Sequence, residues 1–490
     1  MAKDIIVAIE LGSSKMTGIA GRKNPDGSIA ILAVASDDST SYIRKGVVYN
    51  IDKTAQGLSN IITKLKNSLQ TDITQVYVGI GGQSIRSVRN MVNKDLPIDA
   101  IVSQDMVNEL MDANRNMTYP DYEIQDAITE EYKVDQQYQT DPVGIQASHI
   151  EGNFLNILWR RSFSRNLNKS FDNAGIAIAE TYLSPLVMAD NVLTEAEKRA
   201  GCVLVDLGAE TTTVAVFYRD KLRNVAVIPL GSGNITKDLE SLQMDETEAE
   251  RLKLKYGSAY TDVADIDPSA ILPIDSSRTV ESRKFIEVVE ARTLEIIENV
   301  KSLIPTEYAD KLLGGVVLTG GGSNMKNIEK AFRVALDEDK VRVAKFVTIN
   351  IDTKNTKPEL RHDGTMNTIL SLVAHGDMNC AGNPFSDNLF SEQHFTNNPQ
   401  PAEAGFATQT VTASTNTTAA ATAQRESEEA RRKREEEERR AKEEEERRQR
   451  EEEERRAKEE EERKKNSPFR RIWGSMKQFG RSLVEPETNE

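Results

Sequence analysis

GCVLVDLGAETTTVAVFYRDKLRNVAVIPLGSG, residues 201–233, reads as strand, glycine turn, strand, turn and strand. Its apolar runs are short, rich in valine and bounded by glycine or charged turns, the pattern of paired strands. The same plan occurs earlier, in VAIELGSSKMTGIAGRKNPDGSIAILAVA at 7–35. There, 4–10 and 29–35 are expected to be strands, with NPDG at 24–27 as the turn of an opening hairpin. Two copies of one module predict two related lobes.

Working outward, a helix is expected at about 53–69, followed by the strand QVYVGIGG at 75–82. The pattern then shifts. Residues 83–163 hold a polar helix, SQDMVNELMDANR, and short strands including EEYKVDQQ and NFLNILWR, and read as an inserted subdomain. After the second copy come helical stretches at KDLESL and ETEAERLKLKYGSA and a long amphipathic helix around 281–303. The strand-to-turn segment GGVVLTGGGSNMKNIEKAF closes this part.

The chain has 490 residues, 38% of them hydrophobic, and a formal charge of −15. The length exceeds one ordinary domain, and the charge argues against nucleic-acid binding, which needs a basic face. Cys202 and Cys380 are far apart, and Cys202 opens an apolar run, so buried thiols and a reducing setting are expected. MAKDIIVAIELG lacks a long apolar region, so neither a secretory signal nor a spanning helix is expected there.

Beyond about Asn388 apolar residues nearly vanish. Residues 391–424, rich in Asn, Gln, Thr, Ala and Pro, read as a disordered linker. Residues 425–465 alternate EEEE with basic residues. Glu435 stands four before Arg439, as Glu436 does before Arg440 and Glu438 before Lys442, the favourable order on a helix. No apolar seam exists for a coiled coil, so an isolated charged helix is expected, with a disordered polyampholyte as the alternative.

Residues 466–484, NSPFRRIWGSMKQFGRSLV, place Phe469, Ile472, Trp473, Met476, Phe479, Leu483 and Val484 on one helical stripe. Arg470, Lys477 and Arg481 flank it, and Arg471 lies opposite. This is the layout of a helix lying on anionic lipid, with docking in a protein groove as the alternative. Four turns cannot span a bilayer.

Three glycine-rich turns follow strands: LGSSK at 11–15, DLGAETT at 206–212 and TGGGSN at 319–324. Any one alone is an ordinary hairpin turn. Together, two from duplicated lobes can grip a polyphosphate from both sides, and the third, opening a helix, can meet a nucleoside. Here the chain resembles the actin-like and Hsp70-like nucleotide-binding superfamily. HIEGN at 149–153, EEYKVDQQYQTDPVGIQASHIEG within 130–152 and SPLVMADNVLTEAEKRAGCVLVDLG at 184–208 narrow the resemblance to the bacterial cell-division family FtsA, as do IPLGSGNITKDL at 228–239 and AERLKLKYGSA at 249–259.

That resemblance implies an α/β, actin-like fold of duplicated ribonuclease-H-like lobes. The first lobe would comprise 1–82 and 164–200, closed by 375–390, with the FtsA-type subdomain 1C at 83–163. The second would comprise subdomain 2A, at 201–235 and 304–374, and subdomain 2B, at 236–303. It implies ATP and Mg²⁺ as ligands. Gly12, Ser13, Ser14 and Lys15 would hold the β- and γ-phosphates. Gly208, Thr211 and Thr212 would line the second turn, near Gly231 and Gly233. Glu250 and Lys253 would reach ribose and base, and Gly320, Gly321, Gly322 and Ser323 would back the adenosine. Glu10 and Asp206 would serve Mg²⁺, Asp206 through water.

Glu10 stands where the family pattern has Asp, and Ala209-Glu210 replaces a Gly-Gly pair, so at most slow hydrolysis is expected and no catalytic base is assigned. The histidines, His149, His362, His375 and His394, form no zinc or triad motif, and His375 beside ILSLVA is read as structural. The family also implies filaments at the inner face of the cell membrane, at the division septum. It implies attachment through 466–484, recruitment of the tubulin-like GTPase FtsZ by its tail on the second lobe, and contact with later divisome proteins. Two alternatives remain open within the superfamily: a small-molecule kinase and a pilus-assembly relative.

Overall fold

The computed structural model describes residues 4–382, apart from 98–99, 263, 265–266, 268 and 354–359. The linker at 391–424, the charged segment at 425–465 and the terminal segment at 466–484 lie outside the described residues, as does 383–390.

Two lobes share one topology. In the first, Ile6–Leu11, Lys15–Lys23 and Ile29–Asp38 form an antiparallel meander, so the opening module holds a middle strand besides the two expected. Gln75–Ile80 adds parallel to the first strand and Ala177–Leu183 parallel to that. In the second, Cys202–Leu207, Thr212–Tyr218 and Lys221–Ile228 repeat the meander, with Gly315–Thr319 and then Val341–Val343 added in parallel. Both sheets bury near-continuous apolar strands, because helices cover their faces. Helix Ile51–Leu69 is one cover: Asn50 caps it, accepting from the Lys53 N–H, and Leu58, Ile61, Ile62 and Leu65 face the sheet. Cys202 and Cys380 are free and buried.

The insert has its own core, where Val107 and Leu110 of helix Gln104–Arg115 meet Val134, Ile150 and Phe154. Its strands Arg86–Asp95, His149–Arg160, Tyr122–Val134 and Gln137–Gln139 extend the sheet of the second lobe to nine strands, through one residue pair, Ala226 with Arg86. Ion pairs reinforce that joint. Glu130 of the insert, 6% exposed, lies 3.2 Å from Arg223 Nη1 of the second lobe, itself 7% exposed, and 3.2 Å from Arg89 Nε. The Lys221 ammonium donates to the carbonyls of Thr129 and Glu130. Sequence placed the insert within the first lobe; its sheet and its buried charges also bind it to the second.

The chain returns to the first lobe earlier than the expected 375. Ile351–Asp352 pairs with Ile29 and Ala30, and helix Asn367–His375 buries Leu370, Leu372 and Val373 against the first sheet and helix Ser184–Val192. Residues 351–352 and 367–374, assigned above to the second lobe, therefore pack on the first, where the apolar side chains of the helix find an uncovered face. His375 lies edge-on to Tyr182 and 3.6 Å from Asp190. Past it, the chain is clamped to the opening strand. The Ile5 N–H donates to Asn379 Oδ1, the Cys380 N–H to the Ile5 carbonyl, and the Tyr77 hydroxyl accepts from the N–H groups of Asp377 and Met378. Among the described residues no helix is long and apolar enough to cross a membrane.

Candidate functional site

The repeated topology sets Glu10 and Asp206 at equivalent positions, each near the end of the first strand of its lobe and opposite a threonine, Thr17 or Thr213. The two carboxylates are close enough to repel. Burial pushes Glu10 up to about 7, with Asp206 adding to the rise and Lys15 and the Thr368 hydroxyl opposing it. Burial also raises Asp206 to about 6. An unfolded carboxylate loses its proton near pH 4.5, whereas folded Glu10 keeps it to about pH 7. Between those values the native state binds more protons, so stability falls as pH rises and levels off above. In chelator, from about pH 4.5 to about pH 8, wild type should lose about 3 kcal/mol more unfolding free energy than Glu10→Gln. Parallel urea-denaturation curves would reject this assignment.

The three glycine turns flank this pair. In the first, Ser13 is nearly buried and its Oγ accepts the Gly46 N–H at 2.9 Å, while the Ser39 hydroxyl donates to the Gly12 carbonyl at 2.6 Å. In the second, the Gly208 carbonyl accepts from Ser232 N–H at 2.9 Å and the Ala209 carbonyl from Gly233 N–H at 2.7 Å. Helix Ser232–Leu239 thus holds the turn by its carbonyls. A Cβ on Gly231 would lie 2.6 Å from both carbonyl oxygens, which fixes glycine there. Thr212 is buried and donates to the Leu230 carbonyl, so its hydroxyl supports the turn.

The third turn lies against the second because Gly315–Thr319 runs parallel to Cys202–Leu207, pairing Thr319 with Asp206. Gly320 has φ +81°, and a Cβ there would sit 2.2 Å from Asp206 Oδ1. Gly321–Asn324 forms a 3₁₀ turn, and the α-helix begins only at Ile328, so the turn does not itself open that helix as expected. Ser323 is buried, with its hydroxyl donating to the Gly320 carbonyl.

Glu250 and Lys253 lie on helix Glu246–Tyr256, but the lysine is neither free nor solvated. It is 7% exposed, and its ammonium donates to the Ser232 carbonyl at 3.1 Å and Thr236 Oγ1 at 2.8 Å while pairing with Glu250 at 2.6 Å. These contacts brace the helix behind the second turn.

Sequence reading missed Thr368, which arrives from the far end of the body, and Ser39. It also missed the short hairpin of Ile43–Arg44 and Val47–Val48, whose KG turn was its only signal. This hairpin touches both phosphate-type turns. Gly46 bonds Ser13, and the Lys45 N–H donates to the Glu210 carboxylate at 2.7 Å. Glu210 also lies 3.7 Å from Lys237 Nζ.

Duplicated α/β lobes, with three glycine turns and an opposed carboxylate pair between them, define a two-lobed protein of the actin-like class. Residues 203–360 match the family model of cell division protein FtsA, and 82–158 match that of the SHS2 domain inserted in FtsA. The chain belongs to the FtsA cell-division family. The cell division protein FtsA of Porphyromonas gingivalis is 30% identical over 358 residues, covering 72% of this chain and 74% of that one. That of Neisseria meningitidis serogroup B is 30% identical over 367 residues, covering 70% and 88%. Among solved structures, the PilM-PilN type IV pilus biogenesis complex aligns with TM-score 0.52 at 16% identity, covering 75% of this chain and 97% of that one, a likeness of fold alone.

Proposed function

We propose that the chain binds ATP between its lobes, assembles into filaments on the inner face of the cell membrane at the division site, and tethers FtsZ there. The observation that supports this most is the convergence of the turns at 12–14, 208–211 and 320–323 around Glu10 and Asp206. Gly12, Ser13, Ser14 and Lys15 would hold phosphates from one side, and Gly208, Thr211 and Thr212 from the other, with Gly231 and Gly233 behind. Gly320, Gly321, Gly322 and Ser323 would back the nucleoside, with Glu250 and Lys253 reaching its ribose and base.

The raised carboxylate pair suits a divalent cation, which would remove its repulsion. Among the described residues no group of three or more candidate ligands gathers, so Mg²⁺ would keep water and phosphate oxygens as its remaining ligands. When bound, it would neutralise charge on the polyphosphate. Lys15 supplies a point charge to the same anion. Membership in the cell-division family sets the kinase and pilus-assembly alternatives aside.

The tether is assigned to residues 466–484, one reversible anchor whose effect polymerisation multiplies. The test is sedimentation with anionic liposomes and FtsZ, comparing the full chain with one ending at Lys465. The full chain should carry FtsZ down with the vesicles and the shortened one should leave it in solution. Equal sedimentation of both would reject the tether, and soluble FtsZ beside vesicle-bound full chain would reject the adaptor role. Lys15→Ala should weaken a fluorescent ATP analogue at least about tenfold, the scale of one lost charge contact.

A further inference from the structure

Glu210 is the residue that most distinguishes this cleft, because it sets a carboxylate in the turn that a polyphosphate would approach. Its side chain crosses between lobes. It accepts the Lys45 N–H of the first lobe at 2.7 Å and lies 3.7 Å from the Lys237 ammonium of the second. The same hairpin gives its next N–H, from Gly46, to Ser13 of the first turn. A further bond, Gln83 N–H to the Lys45 carbonyl, ties the hairpin to the root of the insert. Residues 43–48 therefore strap both turns together, and the strap's interlobe bond is made by an anion of the protein itself.

We propose that Glu210 is a built-in anion that latches the cleft in the ligand-free protein and is displaced by the nucleotide. The proposal rests on the nucleotide reading above. An incoming polyphosphate brings negative charge to the turn that carries Glu210 and competes with it for the Lys237 ammonium. Like charges at this range repel, and Glu210 is accessible enough to swing into water, where the repulsion is screened. Binding and latching then exclude each other, so part of the nucleotide's affinity is spent on opening the strap. Removing the carboxylate should return that part. The effect is about tenfold in affinity, the low end for a hydrogen bond to a charged group, because the groups are partly exposed.

The test measures the affinity of Mg-ATP and hydrogen exchange in the peptide spanning 42–48, for wild type, Glu210→Ala and Glu210→Gln. Glu210→Ala should bind about tenfold tighter, and its strap should exchange faster without nucleotide, since the Lys45 N–H loses its acceptor. Wild type should reach that faster exchange when Mg-ATP is added. Glu210→Gln keeps an acceptor oxygen without the charge, so it should bind tighter than wild type while exchanging more slowly than Glu210→Ala. Unchanged or weaker ATP binding in both variants, or a wild-type strap that ATP leaves as slow as before, would overturn the latch and leave nucleotide binding standing. Failure of all three proteins to bind ATP would overturn the nucleotide reading and the latch with it.

Discussion

Glu130→Ala is expected to lower the unfolding free energy by about 3–5 kcal/mol, because it strands a buried guanidinium. Among the described residues Arg223 has no carboxylate partner besides Glu130 and little access to water, whereas Arg89 is 41% exposed and also reaches Glu307. Arg89 can therefore recover hydration and Arg223 cannot. Replacing both members, as Glu130→Met with Arg223→Met, should cost far less than the single change, since no unpaired charge remains. A double-mutant cycle by chemical denaturation measures the difference, with Trp159, packed edge-on to Phe163 near the joint, as an optical probe. If Glu130→Ala stays within about 1 kcal/mol of wild type, the pair is not holding the insert to the second lobe.

Gly320→Ala should cost about 3 kcal/mol and also disturb the cleft. The residue combines φ +81° with ψ 172°, a region open almost only to glycine, and strain there costs about 1–3 kcal/mol. The new methyl would also meet Asp206 Oδ1 and the Leu207 carbonyl at 2.2 and 2.7 Å, adding the cost of overpacking. Asp206 must move, so ATP affinity should fall with stability. Gly321→Ala is the control: its nearest neighbour would be Thr365 Cγ2 at 3.5 Å, an ordinary contact, and stability should hold within about 1 kcal/mol. Equal thermal midpoints for the two variants would show that the turn can relax and that its geometry is not fixed by the carboxylate.

The carboxylate pair and the three turns were legible because each sits where a strand pattern stops at glycine, and the duplication of 7–35 in 201–233 told that these ends face each other. The contacts of Lys253 were not legible because its position on a polar helix says nothing about what lies beneath that helix; the Ser232 carbonyl and Thr236 meet it only in three dimensions. The return at Ile351 was hidden for another reason. A two-residue strand carries no period, and the segment NTILSLV is buried so completely that no polar face shows which lobe it covers. The joint between insert and second lobe depends on one backbone pair and a buried charge cluster, features with no spacing to read.

The clamp between Ile5 and residues 377–380 has a mechanical meaning. A pull on the chain beyond Gly382 is borne by the Ile5 and Tyr77 contacts, and so enters two neighbouring strands of the first sheet, Ile6–Leu11 and Gln75–Ile80. The first of these ends beside Glu10, so tension applied at the surface would be felt at the floor of the cleft. Traction and ligand would then act on the same strand from opposite ends.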